Sequence, residues 1–177
     1  NCPDFVSIFG FFQSEKYFKH IREDLLADFK FKEEYLEPCH KMRGEVTNPI
    51  ALHVRRTDYA NYSHHPICDI NYYKEALAKF DSDREVIIFS DDPQWCKEQE
   101  LFSDDRFVIS DNNTTDADLC LMSLCDYHII ANSSFSWWGA WLINNPEKKV
   151  IAPKKWFGPQ YDHFHMDDLI PETWTVL

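Results

Sequence analysis

The chain has 177 residues, of which 44% are hydrophobic and 16% aromatic, so it can bury a sizeable core and is not an intrinsically disordered protein. Its formal net charge of −12 argues against nucleic acid or an anionic membrane surface as the main partner. The longest apolar runs are far shorter than the ~20 residues of a transmembrane helix, and no basic, signal-like stretch opens the sequence.

The first predicted element is an amphipathic helix over residues 14–29, with Ser14 as its cap. From residue 49 onward, short apolar runs predict strands over residues 49–54, 84–90, 106–110, 127–132 and 148–153. Amphipathic segments between them predict helices over residues 69–80, 91–102, 116–126 and 134–145. This alternation indicates βαβ units and an α/β fold with a parallel sheet. The aromatic tail after residue 153 is expected to wrap over that sheet.

Three clusters of reactive or aromatic side chains receive mainly structural interpretations. The six cysteines lack zinc-like spacing, which favours a reducing compartment over a disulfide framework, with Cys120 and Cys125 as small buried hydrophobes. The adjacent histidines of "SHHPICD" do not converge easily on one ion, so no metal site is predicted. The tryptophans of "SFSWWGAW" lie at helical spacing, which favours core packing over a sugar platform. Trp156 and Phe157, beyond the last predicted strand, are candidates for residues that lie near a ligand cleft.

The stretch "HVRRTDY" (53–59) follows the first predicted strand of the sheet. Ligands of open parallel sheets bind beyond the carboxyl ends of the strands, so a ligand site is expected here. Alternation along a strand sends His53 and Arg55 to one face and Arg56 to the other. One arginine would grip a ligand such as a phosphate, and the other would pair with a carboxylate such as Asp58. The alternative is a surface arginine pair with Asp58 as its salt-bridge partner.

The stretch "IIANSSFSWWGAW" (129–141) joins a predicted strand to a predicted helix through small hydroxyl residues. Ser133, Ser134 and the N–H groups of the first helical turn form a natural cradle for phosphate, although either serine is also a plausible helix cap. Asp91 and Asp92 end the second predicted strand at the same edge, where they would touch a ribose or cap the next helix. A diphosphate between the arginines and the serines would account for both stretches.

Four blocks of the sequence closely resemble glycosyltransferase family 11, in the same order and at similar spacings over residues 45–158: "HVRRTDY", "FSDDPQWC", "DLCLMSLCDYHIIANSSFSWWGAWL" and "VIAPKKWFG". Members of this family are α-1,2-fucosyltransferases that use GDP-fucose. The resemblance implies a GT-B arrangement of two Rossmann-like domains and an inverting, metal-independent reaction. The family's glycine-rich "GGLGNQ"-like segment has no counterpart among the 4 glycines of this chain, so the resemblance implies the donor-binding half only.

The resemblance also implies a role for each residue that matches a family motif. Arg55 would be the diphosphate clamp and the catalytic residue. His53 would help to hold the guanine base or the backbone near it, and Arg56 would make a structural or secondary contact.

The remaining matching residues lie on two predicted helices. By the resemblance, Asp118 would accept hydrogen bonds from guanine N1–H and the exocyclic amine. From the residues alone, it is equally a first-turn acid that favours the helix dipole. Ser134 and Ser136, with adjacent N–H groups, would hold the β-phosphate.

The expected organisation is a single donor-binding domain over residues 1–177, with a helical lead-in (1–44), a family-like core (45–158) and a C-terminal tail (159–177). Its expected partners are GDP-fucose, a glycan acceptor with a terminal galactose, and an N-terminal domain of the same protein, with no cofactor and no nucleic acid. The expected location is the cytoplasm or the membrane periphery of a bacterium, or the Golgi lumen of a eukaryote. The alternative is a non-catalytic nucleotide- or carbohydrate-binding module with the same fold.

Overall fold

A parallel sheet forms the centre of the molecule in a computed structural model that describes residues 5–7, 9–44, 48–111, 114–161, 163–164 and 166–177. Its strands are β1 (Ile50–Val54), β2 (Val86–Ser90), β3 (Phe107–Ile109), β4 (Tyr127–Ile129), β5 (Lys149–Ala152) and β6 (Thr175–Val176). They lie in the order β3-β2-β1-β4-β5-β6, and all neighbours are parallel. The chain order reverses between β1 and β4. In open α/β sheets the ligand crevice lies at such a switch point.

Helices flank this sheet in the described part of the chain. They are α1 (Arg22–Asp28), α2 (Glu33–Gly44), α3 (Ile70–Leu77), α4 (Pro93–Lys97), α5 (Thr115–Ser123) and α6 (Ser134–Trp141). The side chains of Asp69, Asp92 and Thr114 each accept a hydrogen bond from the backbone N–H three residues later, at 2.9, 3.1 and 3.2 Å. These caps satisfy donors that a first helical turn leaves unpaired, so they explain where α3, α4 and α5 begin.

Alternate residues of β1 enter different cores on the two faces of the sheet. Ile50, Leu52 and Val54 belong to the core that includes residues of α3. Ala51 belongs to the core that includes Leu121 of α5. All five residues of β1 are buried, as expected for a parallel strand covered on both faces. The same alternation separates the side chains that follow β1.

The tryptophans of α6 pack against the segment that precedes α1. Trp137 is fully buried and Trp141 nearly so. The ring of Phe18 meets Trp141 edge-on with 4.9 Å between centroids and stacks on Trp138 at 5.1 Å. Core packing is therefore confirmed for Trp137 and Trp141, whereas Trp138 is half-buried and also stacks with Phe29.

The single helix predicted over residues 14–29 is wrong in its extent. Two short 3₁₀ turns, Glu15–Tyr17 and Lys19–Ile21, precede α1 instead. Phe18 separates these turns with φ −144° and ψ 2°, which is not a helical conformation. The break buries the Phe18 ring among the tryptophans of α6, and this burial offsets the helical hydrogen bonds that are lost.

Three further elements differ from the sequence prediction. Helix α2 was not predicted, and Pro38 inside it is a residue that normally signals against a helix. The predicted helix over residues 91–102 divides into α4 and a 3₁₀ turn at Glu100–Phe102. The tail packs against one face of the sheet as expected, with Trp156 and Trp174 in the core that includes residues of β5, but its end also forms the unpredicted edge strand β6, which pairs with β5. Pairing of this kind depends on distant residues and leaves no local periodicity.

Five of the six cysteines lie in the described part of the chain, and all five are buried and outside any disulfide. Cys120 and Cys125 are fully buried beside the sheet, which confirms their interpretation as small hydrophobes. Cys2 lies outside the described residues. No described helix has the length and apolar character needed to cross a membrane.

Candidate functional site at the carboxyl edge of the sheet

A cavity of about 590 Å³ lies at the switch point of the sheet. Its lining comes from the segments that follow β1, β4 and β5, together with Phe11 and Gln13 from the segment that precedes α1. One part of the lining carries the charged pair Arg55 and Asp58 together with Ser133 and Ser134, and the remainder is largely aromatic. Small-molecule sites typically have about 300–1,000 Å³ and combine apolar walls with a few polar groups, so this cavity is the candidate site.

Arg55 supplies a cation to this cavity. Its Nη2 donates to Asp58 Oδ2 at 2.8 Å, its Nε lies 3.4 Å from Asp91 Oδ2, and its guanidinium carbon lies 5.5 Å from the ring centroid of Tyr59. Burial alone would lower the pKa of Arg55, but the hydrogen bond to Asp58 and the charge of Asp91 raise it above its ordinary value. The side chain is 34% exposed, so a permanent charge is held within reach of a ligand.

The carboxylate of Asp91 shapes the loop that carries Arg55. It accepts hydrogen bonds from the backbone N–H of Arg56 at 2.9 Å and of Thr57 at 3.0 Å, and from the Thr57 hydroxyl. Asp91 follows β2, the neighbour of β1, so the two strand ends are tied together. This role differs from the ribose contact considered for Asp91 from the sequence.

Arg56 lies on the opposite side of β1, against α4. Its Nε is 3.3 Å from Asp92 Oδ2, and its guanidinium carbon is 4.0 Å from the ring centroid of Trp95. The separation of the two arginines follows the predicted alternation. The expected pairing of the second arginine with a carboxylate is confirmed, but its partner is Asp92, since Asp58 pairs with Arg55. Asp92 caps α4, which was the structural alternative for this residue.

His53 lies behind the cavity rather than in its lining. It is only 4% exposed, and its ring centroid is 5.4 Å from that of Phe135, which does line the cavity. Burial lowers the pKa of His53 to about 4; Arg55 lowers it further, while Asp91 opposes the shift. The imidazole is therefore neutral near pH 7, and among the described residues its Nδ1 has no hydrogen-bond partner. Its placement supports Phe135.

The start of α6 faces the cavity opposite Arg55. Ser133 is the N-cap residue, and its side chain makes no capping hydrogen bond. Ser133 and Ser134 both line the cavity. The N–H groups of a first helical turn lack intrahelical acceptors and lie at the positive end of the helix dipole, so this turn suits an anion.

Ser136, which is predicted to contact a phosphate, has its side chain buried away from the cavity lining. Its side chain is fully buried, and its Oγ lies 3.3 Å from the carbonyl oxygen of Ala131 and 3.4 Å from that of Ser133. The reason is helical geometry: residues two apart on an α-helix do not share a face. Because Ser134 faces the cavity, Ser136 points into the core.

Asp118 lies at the same edge of the sheet but outside the cavity lining. It occupies the first turn of α5, and its Oδ1 accepts a hydrogen bond from the Ser110 hydroxyl at 2.7 Å. Ser110 directly follows β3. The structure therefore places Asp118 two strands away from Arg55, on the β3 side of the site.

Tyr59 and Asn132 connect the two polar sides of the cavity, and the sequence interpretation assigned no role to either. The Tyr59 hydroxyl donates to the carbonyl oxygen of Asn132 at 3.0 Å, directly before the serines. The Asn132 amide donates to the carbonyl oxygens of Pro66 and Trp156, each at 2.9 Å. The signal for Tyr59 was its place in "HVRRTDY", but its contacts are long-range and could not be derived from spacing.

An aromatic wall, defined as Phe157, Tyr161 and Phe164, closes the side of the cavity that follows β5. Phe164 stacks on Tyr161 with 4.8 Å between centroids and meets Phe157 edge-on at 5.7 Å. Gly158 anchors the wall to the segment that follows β1, since its N–H donates to the carbonyl oxygen of His64 at 2.8 Å. A Cβ there would lie 2.0 Å from the carbonyl oxygen of Ser63, so only glycine fits.

Trp156 and Phe157, which the sequence suggested as residues near a ligand cleft, both line the cavity. The histidines of "SHHPICD" diverge, since His64 lies against Tyr161 and His65 stacks on Tyr59. Across the described ranges, no group of three or more His, Cys, Asp or Glu side chains is arranged to hold a metal ion.

A parallel α/β sheet with an arginine and a helix N-terminus at its switch point defines a Rossmann-like domain with a candidate anion site. Comparison with known proteins identifies the family within this class. The family model described as "Glycosyl transferase family 11" matches residues 3–177 of this chain. The chain therefore belongs to glycosyltransferase family 11, and the family predicted from four sequence blocks is confirmed.

Individual relatives agree with this family. An alpha-1,2-colitosyltransferase of Escherichia coli is 37% identical over 184 residues, covering 96% of this chain and 61% of the relative. The O-antigen biosynthesis glycosyltransferase WbnK of Escherichia coli is 32% identical over 165 residues, covering 85% and 55%. The human galactoside alpha-(1,2)-fucosyltransferase 1 is 24% identical over 204 residues, covering 97% and 55%. The chain thus spans a little over half the length of these relatives.

The fold also has a counterpart among solved structures. A crystal structure of POFUT1 in complex with GDP superposes with a TM-score of 0.50 at 12% identity, covering 84% of this chain and 47% of that one. The predicted Rossmann-like parallel sheet flanked by helices is confirmed.

Proposed function

We propose that this chain binds GDP-fucose and supplies the donor-binding half of an enzyme that transfers fucose to the 2-hydroxyl of a galactoside. The observation that carries the proposal is the convergence of Arg55 and the start of α6 on one cavity at the switch point. The names of the relatives, which describe α-1,2 transfer of fucose or colitose, support the reaction.

The chemistry of the proposed reaction fits the polar part of the cavity. Transfer leaves a GDP leaving group on which negative charge develops, and fixed donors that face this charge stabilise the transition state. The Arg55 guanidinium matches two phosphate oxygens, and the N–H groups of α6 complement it from the other side. The Arg55 guanidinium already donates a hydrogen bond to Asp58, so a bound diphosphate would replace Asp58 as its partner.

Metal independence and inversion belong to the same proposal. Arg55 and the N–H donors would carry out the charge neutralisation that a divalent cation supplies elsewhere. Inversion needs a base that takes the proton of the acceptor hydroxyl, and we assign it to a part of the protein that faces the acceptor. An N-terminal domain would supply that part, with a galactose-terminated glycan bound between the domains.

Asp118 is the proposed acceptor for the guanine N1–H and exocyclic amine. Its position on the β3 side of the site would direct the base away from β5.

The proposal is tested by calorimetric titration of the protein with GDP, GDP-fucose, ADP and UDP, with and without excess chelator. We expect GDP and GDP-fucose to bind in both conditions, and ADP to bind at least tenfold more weakly, because each unmatched buried group costs about 1–3 kcal/mol. Equal binding of ADP and GDP would remove Asp118 from base recognition, and an absolute metal requirement would contradict the clamp.

Transfer itself requires a second measurement. Incubation of the complete protein with GDP-fucose and a galactoside is expected to yield a fucosylated product, whose anomeric configuration by NMR reports inversion. Nucleotide binding without transfer would favour the alternative, a non-catalytic binding module.

A further inference from the structure

The two sides of the cavity differ in chemistry. Charged and hydroxyl groups lie at the ends of β1 and β4, whereas the aromatic wall lies beyond β5. We propose that the aromatic wall is the subsite for the sugar of the donor, and that it selects a 6-deoxy sugar by covering its methyl group. This inference rests on the proposed function, because it takes a nucleotide diphosphate sugar as the ligand.

The order of the strands gives the direction in which such a donor lies. Asp118, held by Ser110, marks the β3 side, and Arg55 and Ser134 mark β1 and β4. Strands are about 4.8 Å apart, so the Asp118 side lies about 10 Å from the end of β1. A nucleoside that extends from the diphosphate toward Asp118 leaves its sugar on the opposite side, where Phe157 follows β5.

The aromatic wall suits a sugar with an apolar edge. Phe164 is 46% exposed, stacks on Tyr161 and lines the cavity, so the wall presents apolar surface to a ligand. Fucose and colitose, the sugars in the names of the relatives, both carry a methyl group at C6 where galactose carries a hydroxymethyl group. Contact of that methyl with aromatic rings removes apolar surface from water on both partners.

Polar groups beside the wall are suited to the sugar's hydroxyls. Gln13 and His65 line the cavity, and the Gln13 Nε2 and His65 Nδ1 atoms have no hydrogen-bond partner among the described residues. Burial lowers the pKa of His65, so the neutral imidazole is favoured. Unpaired buried polar nitrogens are costly, and hydroxyls of a bound sugar, reached by small side-chain rotations, would satisfy them.

The wall is a preformed surface rather than a loose tail. Its backbone is held by hydrogen bonds from Tyr161 N to the Gly158 carbonyl at 2.9 Å and from Phe164 N to the Tyr161 carbonyl at 2.8 Å. The Gln160 amide also donates to the Ser63 hydroxyl at 2.8 Å. A surface fixed before binding loses little entropy when a ligand covers it.

The test compares three ligands, GDP, GDP-L-fucose and GDP-L-galactose, which differ only in the presence of the sugar and of a 6-hydroxyl. We expect the protein to bind GDP-L-fucose about tenfold more tightly than GDP-L-galactose. Phe164→Ala is expected to reduce that preference to about twofold or less while leaving GDP affinity within about twofold. If the alanine variant has a lowered melting temperature, the same affinities are measured on Phe164→Leu, which keeps an apolar side chain.

Two variants serve as matched controls. Phe9→Ala removes an exposed phenylalanine that lies outside the cavity and is expected to change no affinity. Tyr161→Phe keeps the ring of a wall residue and is expected to keep the preference for the deoxy sugar.

The possible outcomes separate the two proposals. Equal affinity for GDP-L-fucose and GDP-L-galactose in the parent protein overturns the sugar subsite while leaving the proposed function in place. If Phe164→Ala weakens GDP and GDP-L-fucose equally, the wall holds the base instead, and the sugar subsite is overturned. If the parent protein binds no GDP, the proposed function fails and the sugar subsite fails with it.

Discussion

Arg55 and Arg56 are adjacent in the chain, yet they occupy environments of different kinds. Arg55 lies in the cavity with a side chain that is 34% exposed, beside an Asp58 carboxylate that is 46% exposed. Arg56 is 23% exposed and lies between the ring of Trp95 and the carboxylate of Asp92. The first cation has a partner that a ligand can replace, whereas the second is fixed by stacking on one side and pairing on the other.

This difference arises from the period of the strand. Successive side chains leave β1 on opposite faces, so neighbouring residues meet different helices and loops. Of two adjacent arginines at the end of a strand, one can therefore face a ligand while the other stabilises the fold. Variants that alter each residue separately test this division.

The largest effect is expected for Arg55→Ala. The variant should lose about 2–5 kcal/mol of GDP binding, the usual range for truncating one partner of a desolvated charge pair, while its melting temperature stays close to that of the parent. This corresponds to a loss of more than tenfold in affinity, measurable by calorimetry. Arg55→Lys should restore only part of the affinity, because a point charge cannot fork onto two oxygens.

His53 extends the comparison into the strand, on the same face as Arg55. Its pKa in the folded protein is about 4, below the ordinary value of 6.5, because the imidazole is buried. As pH falls below 6.5, the unfolded state takes up a proton that the folded state resists, so stability decreases until about pH 4. The expected loss is about 3 kcal/mol, measured by urea denaturation across this range.

A variant separates His53 from other groups that titrate in the same range. His128, which is also fully buried and has its pKa lowered to about 3, contributes in the same direction. His53→Gln should therefore flatten the dependence of stability on pH without abolishing it. An unchanged slope would mean that His53 is not buried in its neutral form.

Arg56→Ala is expected to act on stability rather than on binding. The change removes the cation over Trp95 and leaves the Asp92 carboxylate without its guanidinium, which should destabilise the fold by about 1–2 kcal/mol. GDP affinity should stay within about twofold of the parent. If this variant loses nucleotide at unchanged stability, and Arg55→Ala does not, the two faces are assigned the wrong way round.

The smallest effect is expected for Tyr59→Phe, which keeps a ring beside Arg55 and removes one hydroxyl. The lost hydrogen bond to the Asn132 carbonyl is expected to cost about 0.5–1.5 kcal/mol, seen as a few-fold loss of GDP affinity. Tyr62→Phe, at an exposed tyrosine outside the cavity, is the matched control. A change equal in both variants would remove Tyr59 from the link between the arginine and the serines.

Several features of the site could be predicted because they depend on local periodicity. Alternation in β1 separates Arg55 from Arg56, and the carboxyl ends of parallel strands bring Arg55 and Ser134 to one edge. The same reasoning, applied to α6, places Ser136 on a different face from Ser134, since residues two apart on a helix face different ways.

The sequence by itself determined the α/β class, the parallel sheet, the family and the position of the cavity, because each depends on patterns shorter than one βαβ unit or on matching motifs. Only the tertiary structure decided that Asp92 pairs with Arg56, that Phe18 interrupts the first predicted helix, and that Phe164 lines the cavity. These contacts join segments whose conformations are set by packing against distant residues rather than by local propensity, so nothing in the spacing of nearby side chains specifies them.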